Sequence, residues 1–105
     1  MRESAYQSHV IGELRHMFHG CMILKNDSQY LQGIPDLMIL YRDRWAMLEV
    51  KRSENELYQP NQEFYLDMLH SMSFAAAIYP ENEDEVLNAL QRALKSRRST
   101  RISQR

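Results

Sequence analysis

Two carboxylates and a lysine occupy the ends of two neighbouring apolar runs. Asp36 precedes the run LMILY at 37–41, while Glu49 and Lys51 close the run WAMLEVK at 45–51. Side chains alternate between the faces of a strand, so Glu49 and Lys51 project together. If the two strands pair across the polar turn at 42–44, Asp36 lies opposite the end of the second strand. The spacing therefore predicts two carboxylates and an ammonium in one small site.

Such a site implies a divalent cation. Two carboxylates brought close together repel each other, and one takes up a proton unless a cation neutralises them. Mg²⁺ prefers oxygen ligands and is usually held by one or two carboxylates with substrate phosphate. Asp36 and Glu49 suit that description, and Lys51 would bind a phosphate oxygen or orient the attacking water. The implied chemistry is hydrolysis of a phosphodiester bond.

These residues also resemble a known nuclease signature. The segment GIPDL at 33–37, the segment EVK at 49–51 and Gln62 at the head of the next predicted helix resemble the VRR-NUC branch of the PD-(D/E)XK superfamily. Glu3, followed by Gln7, resembles the early glutamate of that pattern. The sequence departs from it at 58–61, where YQPN replaces a shorter turn that contains serine. The resemblance covers roughly residues 3–94.

The resemblance implies a fold, an activity and a set of site residues. The fold would be a restriction-endonuclease-like α/β core, a mixed sheet flanked by helices. The activity would be Mg²⁺-dependent or Mn²⁺-dependent DNA endonuclease cleavage, with a homodimer acting on branched DNA such as a Holliday junction, as in compact members that phages often encode. The implied catalytic residues are Asp36, Glu49, Lys51, Gln62 and Glu3, and the implied metal ligands are Asp36, Glu49 and the carbonyl of Val50.

Two other classes of protein remain open. One is a nuclease-like fold that binds DNA or a protein without cutting it, against which the intact set of Asp36, Glu49 and Lys51 argues. The other is a structural or regulatory viral protein that uses its acidic body as a contact surface. A Pro-Asp turn or a Glu-x-Lys pair alone is common on a solvated surface. Their combination on adjacent strands favours the nuclease.

Length and composition predict one domain. The chain has 105 residues, of which 44% are apolar and 26% charged, and it contains no apolar run near the roughly 18 residues of a membrane span. A signal-peptide pattern is absent from the first residues, and the single Cys21 cannot form an internal disulfide, so we expect a cytoplasmic protein. If phage-encoded, it would act in the cytoplasm of the bacterial host. A chain this short would gain stability from a second subunit, with candidate contacts at Met17, Phe18, Trp45, Tyr58 and Tyr65.

Charge is distributed unevenly along the chain. Residues 92–105 carry six Lys or Arg and no acid, whereas residues 1–91 carry seven bases and fourteen acids. An acidic body is unfavourable for approaching a polyanion, so the tail would supply attraction to DNA. We assign DNA contacts to Lys95, Arg97, Arg98 and Arg101. The serines and threonine among these arginines fit a flexible C-terminus equally well.

Hydrophobic periodicity predicts the element order α-β-β-β-α-β-α. It places a helix at about 4–18, a strand at 21–24, the hairpin at 33–51, a helix from Pro60 to about 72, a strand at 73–79 and a last helix from 83. The strand-helix-strand order from 45 to 79 predicts a parallel crossover. The apolar stripe of the second helix would be Phe64, Tyr65, Met68, Leu69 and Met72. We place the nuclease domain at 1–94 and a basic, flexible tail at 95–105, and expect Asn26, Ser28 or Gln29 to reach the substrate from the loop at 26–32.

Overall fold

The computed structural model describes residues 1–96 and confirms the predicted order of elements. These are α1 (Glu3–Met17), β1 (Met22–Lys25), β2 (Leu37–Tyr41), β3 (Arg44–Val50), α2 (Gln62–Met72), β4 (Phe74–Ile78) and α3 (Glu83–Lys95), with a short 3-10 turn at Pro80–Asn82 before α3. The strands form one mixed sheet in the order β1-β2-β3-β4. β1 is antiparallel to β2 and β2 to β3, whereas β4 runs parallel to β3 after the α2 crossover. The predicted α/β fold is therefore confirmed.

The β2–β3 hairpin fixes the alignment on which the site depends. Tyr41 pairs with Arg44 and Leu37 pairs with Leu48, so the turn is the two residues Arg42 and Asp43. Arg42 adopts a left-handed conformation, with φ of 58°, as tight hairpin turns require. Continuing this register one residue beyond Leu37 places Asp36 opposite Glu49 on the same face of the sheet. The predicted juxtaposition of the two carboxylates follows from this pairing.

Helices cover both faces of the sheet. On one face, α1 and α3 bury alternate residues of the strands around Leu48 and Val50, with Val10 and Leu90 completely buried between them. On the other face, α2 packs Leu66 and its neighbours against Met47, Ala75 and Ala77. Because Glu49 and Lys51 alternate with Leu48 and Val50, they lie on the α2 face. The large apolar core therefore lies on the α1 and α3 face of the sheet, and the site forms on the opposite, α2 face.

The predicted boundary and stripe of α2 are wrong in two respects. The helix begins at Gln62, and Pro60 lies in the turn before it rather than in its first turn. Leu66 and Leu69 are its buried residues, whereas Phe64 and Met72 are each 62% exposed. Gln62, Leu66 and Leu69 share one helical face, so the polar Gln62 belongs to the stripe that faces the sheet. An apolar pattern could not identify that face because its first member is polar.

The described residues also bear on the membrane expectation and on the predicted C-terminal tail. Within residues 1–96, no helix is long and apolar enough to cross a membrane. Lys95, which we assigned to the tail, is the last residue of α3. Arg97, Arg98 and Arg101 lie outside the described residues.

Candidate active site

A cleft of about 580 Å³ opens at the end of the hairpin where β2 begins and β3 ends. It brings together Asp36, Glu49, Lys51, Gln62 and Glu3, which are the five residues predicted to be catalytic. The loop before β2 and the segment before α2 supply the rest of its surface. The lining residues are Glu3, Ser28, Gln29, Gln32, Gly33, Ile34, Asp36, Glu49, Lys51, Glu56, Gln59 and Gln62.

Asp36 is held in place by hydrogen bonds to its backbone, to the backbone of the preceding residue and to its side chain. The backbone amide of Asn26 donates to the Asp36 carbonyl at 2.8 Å, and the Asn26 side-chain amide donates to the Pro35 carbonyl at 2.8 Å. The backbone amide of Val50 donates to the Asp36 carboxylate at 2.9 Å. Asn26 therefore braces the turn before β2 instead of lining the cleft, whereas Ser28 and Gln29 from the same loop do line it.

Gln62 connects Glu49 to Lys51. Its side-chain N–H donates to Glu49 Oε2 at 2.9 Å, and its oxygen accepts from Lys51 Nζ at 2.8 Å and from the backbone amide of Gln59 at 2.7 Å. Lys51 Nζ also donates to the Leu57 carbonyl at 3.1 Å and lies 3.9 Å from Glu49 Oε2. These contacts fix the orientation of the Gln62 amide, because its oxygen faces donors and its nitrogen faces an acceptor.

Burial raises the pKa of both central carboxyls. Burial raises the pKa of Glu49 to about 8, and the nearby charge of Asp36 acts in the same direction against the opposing charge of Lys51. Burial also raises the pKa of Asp36, although the hydrogen bond from Val50 and the charge of Lys51 oppose it. Glu49 and Lys51 are each only 3% exposed. Without a bound cation, this carboxyl pair would resist full ionisation, as expected for two acids in one partly desolvated site.

This pair fits a divalent cation. Glu49 Oε1 is fully buried and receives no hydrogen bond from residues 1–96. An unsatisfied buried acceptor is costly, and a cation would satisfy it. The Val50 amide faces Asp36, and in antiparallel pairing the amide and carbonyl of one residue face the same neighbour, so the Val50 carbonyl lies on that side too. No group of three or more His, Cys, Asp or Glu in the described part of the chain is arranged to hold a metal, so water and phosphate would complete the shell.

Glu3 and Glu56 meet at one rim of the cleft. Glu3 begins α1, and its carboxyl shares a hydrogen bond with Glu56. Burial raises the pKa of Glu3, and the charge of Glu56 adds to that effect. Burial alone would raise the pKa of Glu56, but the Arg52 amide that donates to it and the charge of Lys51 lower it. The pKa of Glu3 is therefore raised and that of Glu56 lowered, and both residues stand beside the central pair.

Sequence reasoning missed part of this lining. Glu56 and Gln59 come from the irregular segment between β3 and α2, and Gln32 comes from the loop before β2. Irregular segments have no periodicity, so the residues themselves carried no signal of their position. The departure at 58–61 from the VRR-NUC pattern was the available clue, because that segment contacts Lys51 and Gln62.

Lys95, the described residue among those assigned to DNA contacts, lies away from the cleft. Arg44, at the turn end of the hairpin, donates to the Ala93 carbonyl and to the Ser96 hydroxyl at the end of α3. At about 3.3 Å per residue, five residues along β3 separate Arg44 from Glu49 by roughly 17 Å. Lys95 lies at this end, with Nζ 5.4 Å from the Phe18 ring centroid. Ser96, the last described residue, therefore lies at the opposite end of β3 from the site.

Gly33 lets the two sides of the cleft approach closely. It has φ of 94°, and a Cβ placed on it would lie 2.6 Å from the Asn61 Cβ and 2.8 Å from the Pro60 carbonyl oxygen. Glycine is therefore required both for backbone conformation and for space. The loop that carries Asp36 and the turn that precedes Gln62 are in direct contact at this point.

Comparison with known structures confirms the fold. A solved structure described as "VRR_NUC domain protein" aligns with a TM-score of 0.66 over 90% of this chain and 89% of that chain, at 19% sequence identity. No protein-family model and no curated protein matches the sequence. The chain therefore shares the overall fold of that VRR-NUC domain protein. The predicted resemblance is therefore confirmed for the fold.

Proposed function

We propose that the protein is a metal-dependent DNA endonuclease that hydrolyses phosphodiester bonds. The observation that carries this proposal is the register of the hairpin, which sets Asp36 opposite Glu49. Glu49 Oε1 is buried there without a hydrogen-bond donor from residues 1–96, and Lys51 Nζ lies 3.9 Å from the other carboxylate oxygen. This arrangement is costly for a protein that has no cation to hold. It supplies the carboxylates and the ammonium that phosphodiester hydrolysis uses.

The chain's own residues divide the work. Asp36, Glu49 and the Val50 carbonyl would hold Mg²⁺, or Mn²⁺ in its place. When bound, the ion would polarise the scissile phosphate and lower the pKa of an attacking water. Lys51 presents an ammonium to a phosphate oxygen or to that water, where it stabilises developing negative charge. Gln62 holds Glu49 and Lys51 in a fixed relation through its two amide atoms. Pre-organised groups of this kind need no rearrangement during the reaction.

Cleavage of purified substrates tests the proposal. Linear, flap and four-way junction DNA should be cut with Mg²⁺ and left intact with EDTA. Asp36→Asn and Glu49→Gln should abolish cutting while DNA binding persists, because binding relies on other phosphate contacts. Glu63→Gln, an exposed acid in the first turn of α2, is the matched control and should cut normally. Cutting by either site variant at the wild-type rate would refute the assignment, and binding without any cutting by the wild type would favour a binding module.

Lys51 has a separate test. Lys51→Ala should lower kcat far more than it weakens substrate binding, since the ammonium acts on charge that develops in the transition state. Steady-state kinetics on one defined substrate separate kcat from KM. A change confined to KM would show that Lys51 binds the substrate without taking part in the chemistry.

We further propose that branched DNA is the substrate and that two chains act together. A two-fold dimer places two sites on two strands of one junction. Of the residues considered for the contact, Phe18 is completely buried and is excluded, whereas Tyr58 is 41% exposed. Phe64 and Met72 of α2, each 62% exposed, are better candidates than sequence reasoning allowed.

Sedimentation and mixed-subunit cleavage test the dimer. Sedimentation at micromolar concentration should give twice the 12.5 kDa chain mass. An excess of Glu49→Gln chains should suppress paired cuts in a junction before single nicks. A monomer that makes simultaneous paired cuts would refute the dimer.

A further inference from the structure

Lys51 is buried, yet its ammonium is held almost entirely by one short segment. Its Nζ donates to the Leu57 carbonyl at 3.1 Å and to the Gln62 side chain at 2.8 Å. The residue as a whole is 3% exposed. An ammonium that is removed from water must replace the hydrogen bonds to water that it loses. Two of its three N–H donors are therefore committed to residues that precede or begin α2.

Tyr58, in the same segment, covers this ammonium. Lys51 Nζ lies 5.0 Å from the centroid of the Tyr58 ring. That distance is within the range of a cation–π interaction, which is strongest where the cation is desolvated. Tyr58 belongs to neither apolar cluster of the fold and is 41% exposed. Core packing therefore does not account for its position over Lys51.

We propose that Tyr58 is a positioning residue that fixes the Lys51 ammonium through the face of its ring. The ring and the two acceptors, the Leu57 carbonyl and Gln62, restrict the ammonium so that its remaining donor serves the cleft that Lys51 lines. This inference rests on the proposed nuclease function, because the positioning matters for the chemistry that Lys51 performs. It gives a role to a residue of the segment 58–61, where the sequence departs from the VRR-NUC pattern.

The ring face, and not the hydroxyl or simple bulk, is the active feature in this proposal. Tyr58→Phe keeps the ring and should keep kcat. Tyr58→Leu keeps an apolar side chain but loses the ring and should lower kcat about tenfold with KM unchanged. Tyr30→Leu, which removes an exposed aromatic ring outside the cleft lining, is the matched control and should leave kcat unchanged.

Fluorinated phenylalanines at position 58 give the decisive series. Each added fluorine withdraws electron density from the ring face while the ring keeps nearly the same size, so it weakens the attraction for a cation. We expect kcat to fall stepwise with the number of fluorines. A packing role predicts the same kcat throughout the series. In parallel, NMR should show the methylene next to the Lys51 ammonium shifted upfield by the ring in the wild type and in Tyr58→Phe, and released in Tyr58→Leu.

Each result decides the question. A stepwise fall in kcat with a ring-shifted Lys51 signal supports the proposal. If the wild type is active but kcat is the same throughout the fluorinated series, the positioning role of Tyr58 is refuted and the proposed nuclease function is not. A Tyr58→Phe variant as impaired as Tyr58→Leu would also refute that role, because it would assign the effect to the hydroxyl. A wild-type protein that cuts no DNA would refute the proposed function and this inference with it.

Discussion

Replacing Gly33 by alanine should damage the fold and the site together. The new Cβ would lie 2.6 Å from the Asn61 Cβ. Carbon atoms pack best at about 3.5–4.0 Å, so the turn must retreat by roughly 1 Å. Gln62 follows Asn61 directly, and its hydrogen bonds to Lys51 and Glu49 are 2.8 Å and 2.9 Å long. A displacement of that size would take them beyond hydrogen-bonding distance.

The loss of stability in Gly33→Ala has two parts, and the matched variant Gly20→Ala distinguishes them. Alanine in a left-handed conformation costs about 1–2 kcal/mol, and overpacking costs about 1–3 kcal/mol more. Gly20 has φ of 85° with no atom within 4 Å of an added Cβ, so Gly20→Ala includes only the first part. We expect Gly33→Ala to lose about 1–3 kcal/mol more stability than Gly20→Ala.

Urea denaturation and kinetics measure the two consequences. The free energies of unfolding of both variants follow from linear extrapolation at constant slope. Gly33→Ala should also lower kcat by about 100-fold, the loss typical of a 1 Å misplacement, while Gly20→Ala should cut normally. Equal stability losses in the two variants, or normal cutting by Gly33→Ala, would refute the account of this contact.

Three further outcomes are expected. Gly12→Ala should raise stability by about 0.5–1 kcal/mol in urea denaturation, because Gly12 lies within α1 with no atom within 4 Å of an added Cβ. The hydrogen bond to Glu83 raises the pKa of His9, so the pair should add about 0.2–1 kcal/mol to the free energy of unfolding below pH 6.5. That stabilisation should be lost as pH rises through the raised pKa. Equal pH dependence of the unfolding free energy in the wild type and in His9→Ala would contradict this. In EDTA, Glu49→Gln should raise the free energy of unfolding by about 2–3 kcal/mol at pH 7, since burial raises the Glu49 pKa from 4.5 to about 8. This stabilisation should grow as pH rises from 4.5 to about 8. Its absence would show that Asp36 and Glu49 do not resist ionisation together.

The hairpin and its carboxylates were predictable because their determinants are local. Alternation along a strand and a short polar turn suffice to set Asp36 opposite Glu49. The last helix was equally clear, since Glu83 and its acidic neighbours open it and four apolar residues follow at helical spacing. Glu3 and Gln62 came from the resemblance alone, and the structure brings both to the cleft.

The rest depended on contacts that no local pattern encodes. The buried face of α2 is set by the tether from Gln62 to Glu49 and Lys51, so Leu66 is buried while Phe64 and Met72 of the predicted stripe are exposed. Glu56 lines the cleft because the irregular segment after β3 returns to the Lys51 side chain, and no periodicity identifies that path. Tyr58 over Lys51 has the same origin.

The placement of the site residues in the chain affects how the protein folds. Apart from Glu3, Ser28, Gln29 and Gln32, the cleft is built from the continuous stretch 33–62. Contacts between residues close in sequence need little loop-closure entropy and form quickly. The hairpin that joins Asp36 to Glu49 can therefore form before the parallel pairing of β3 with β4, which must wait for the α2 crossover. We therefore expect the two acids to come together during folding before the parallel pairing of β3 with β4 is complete.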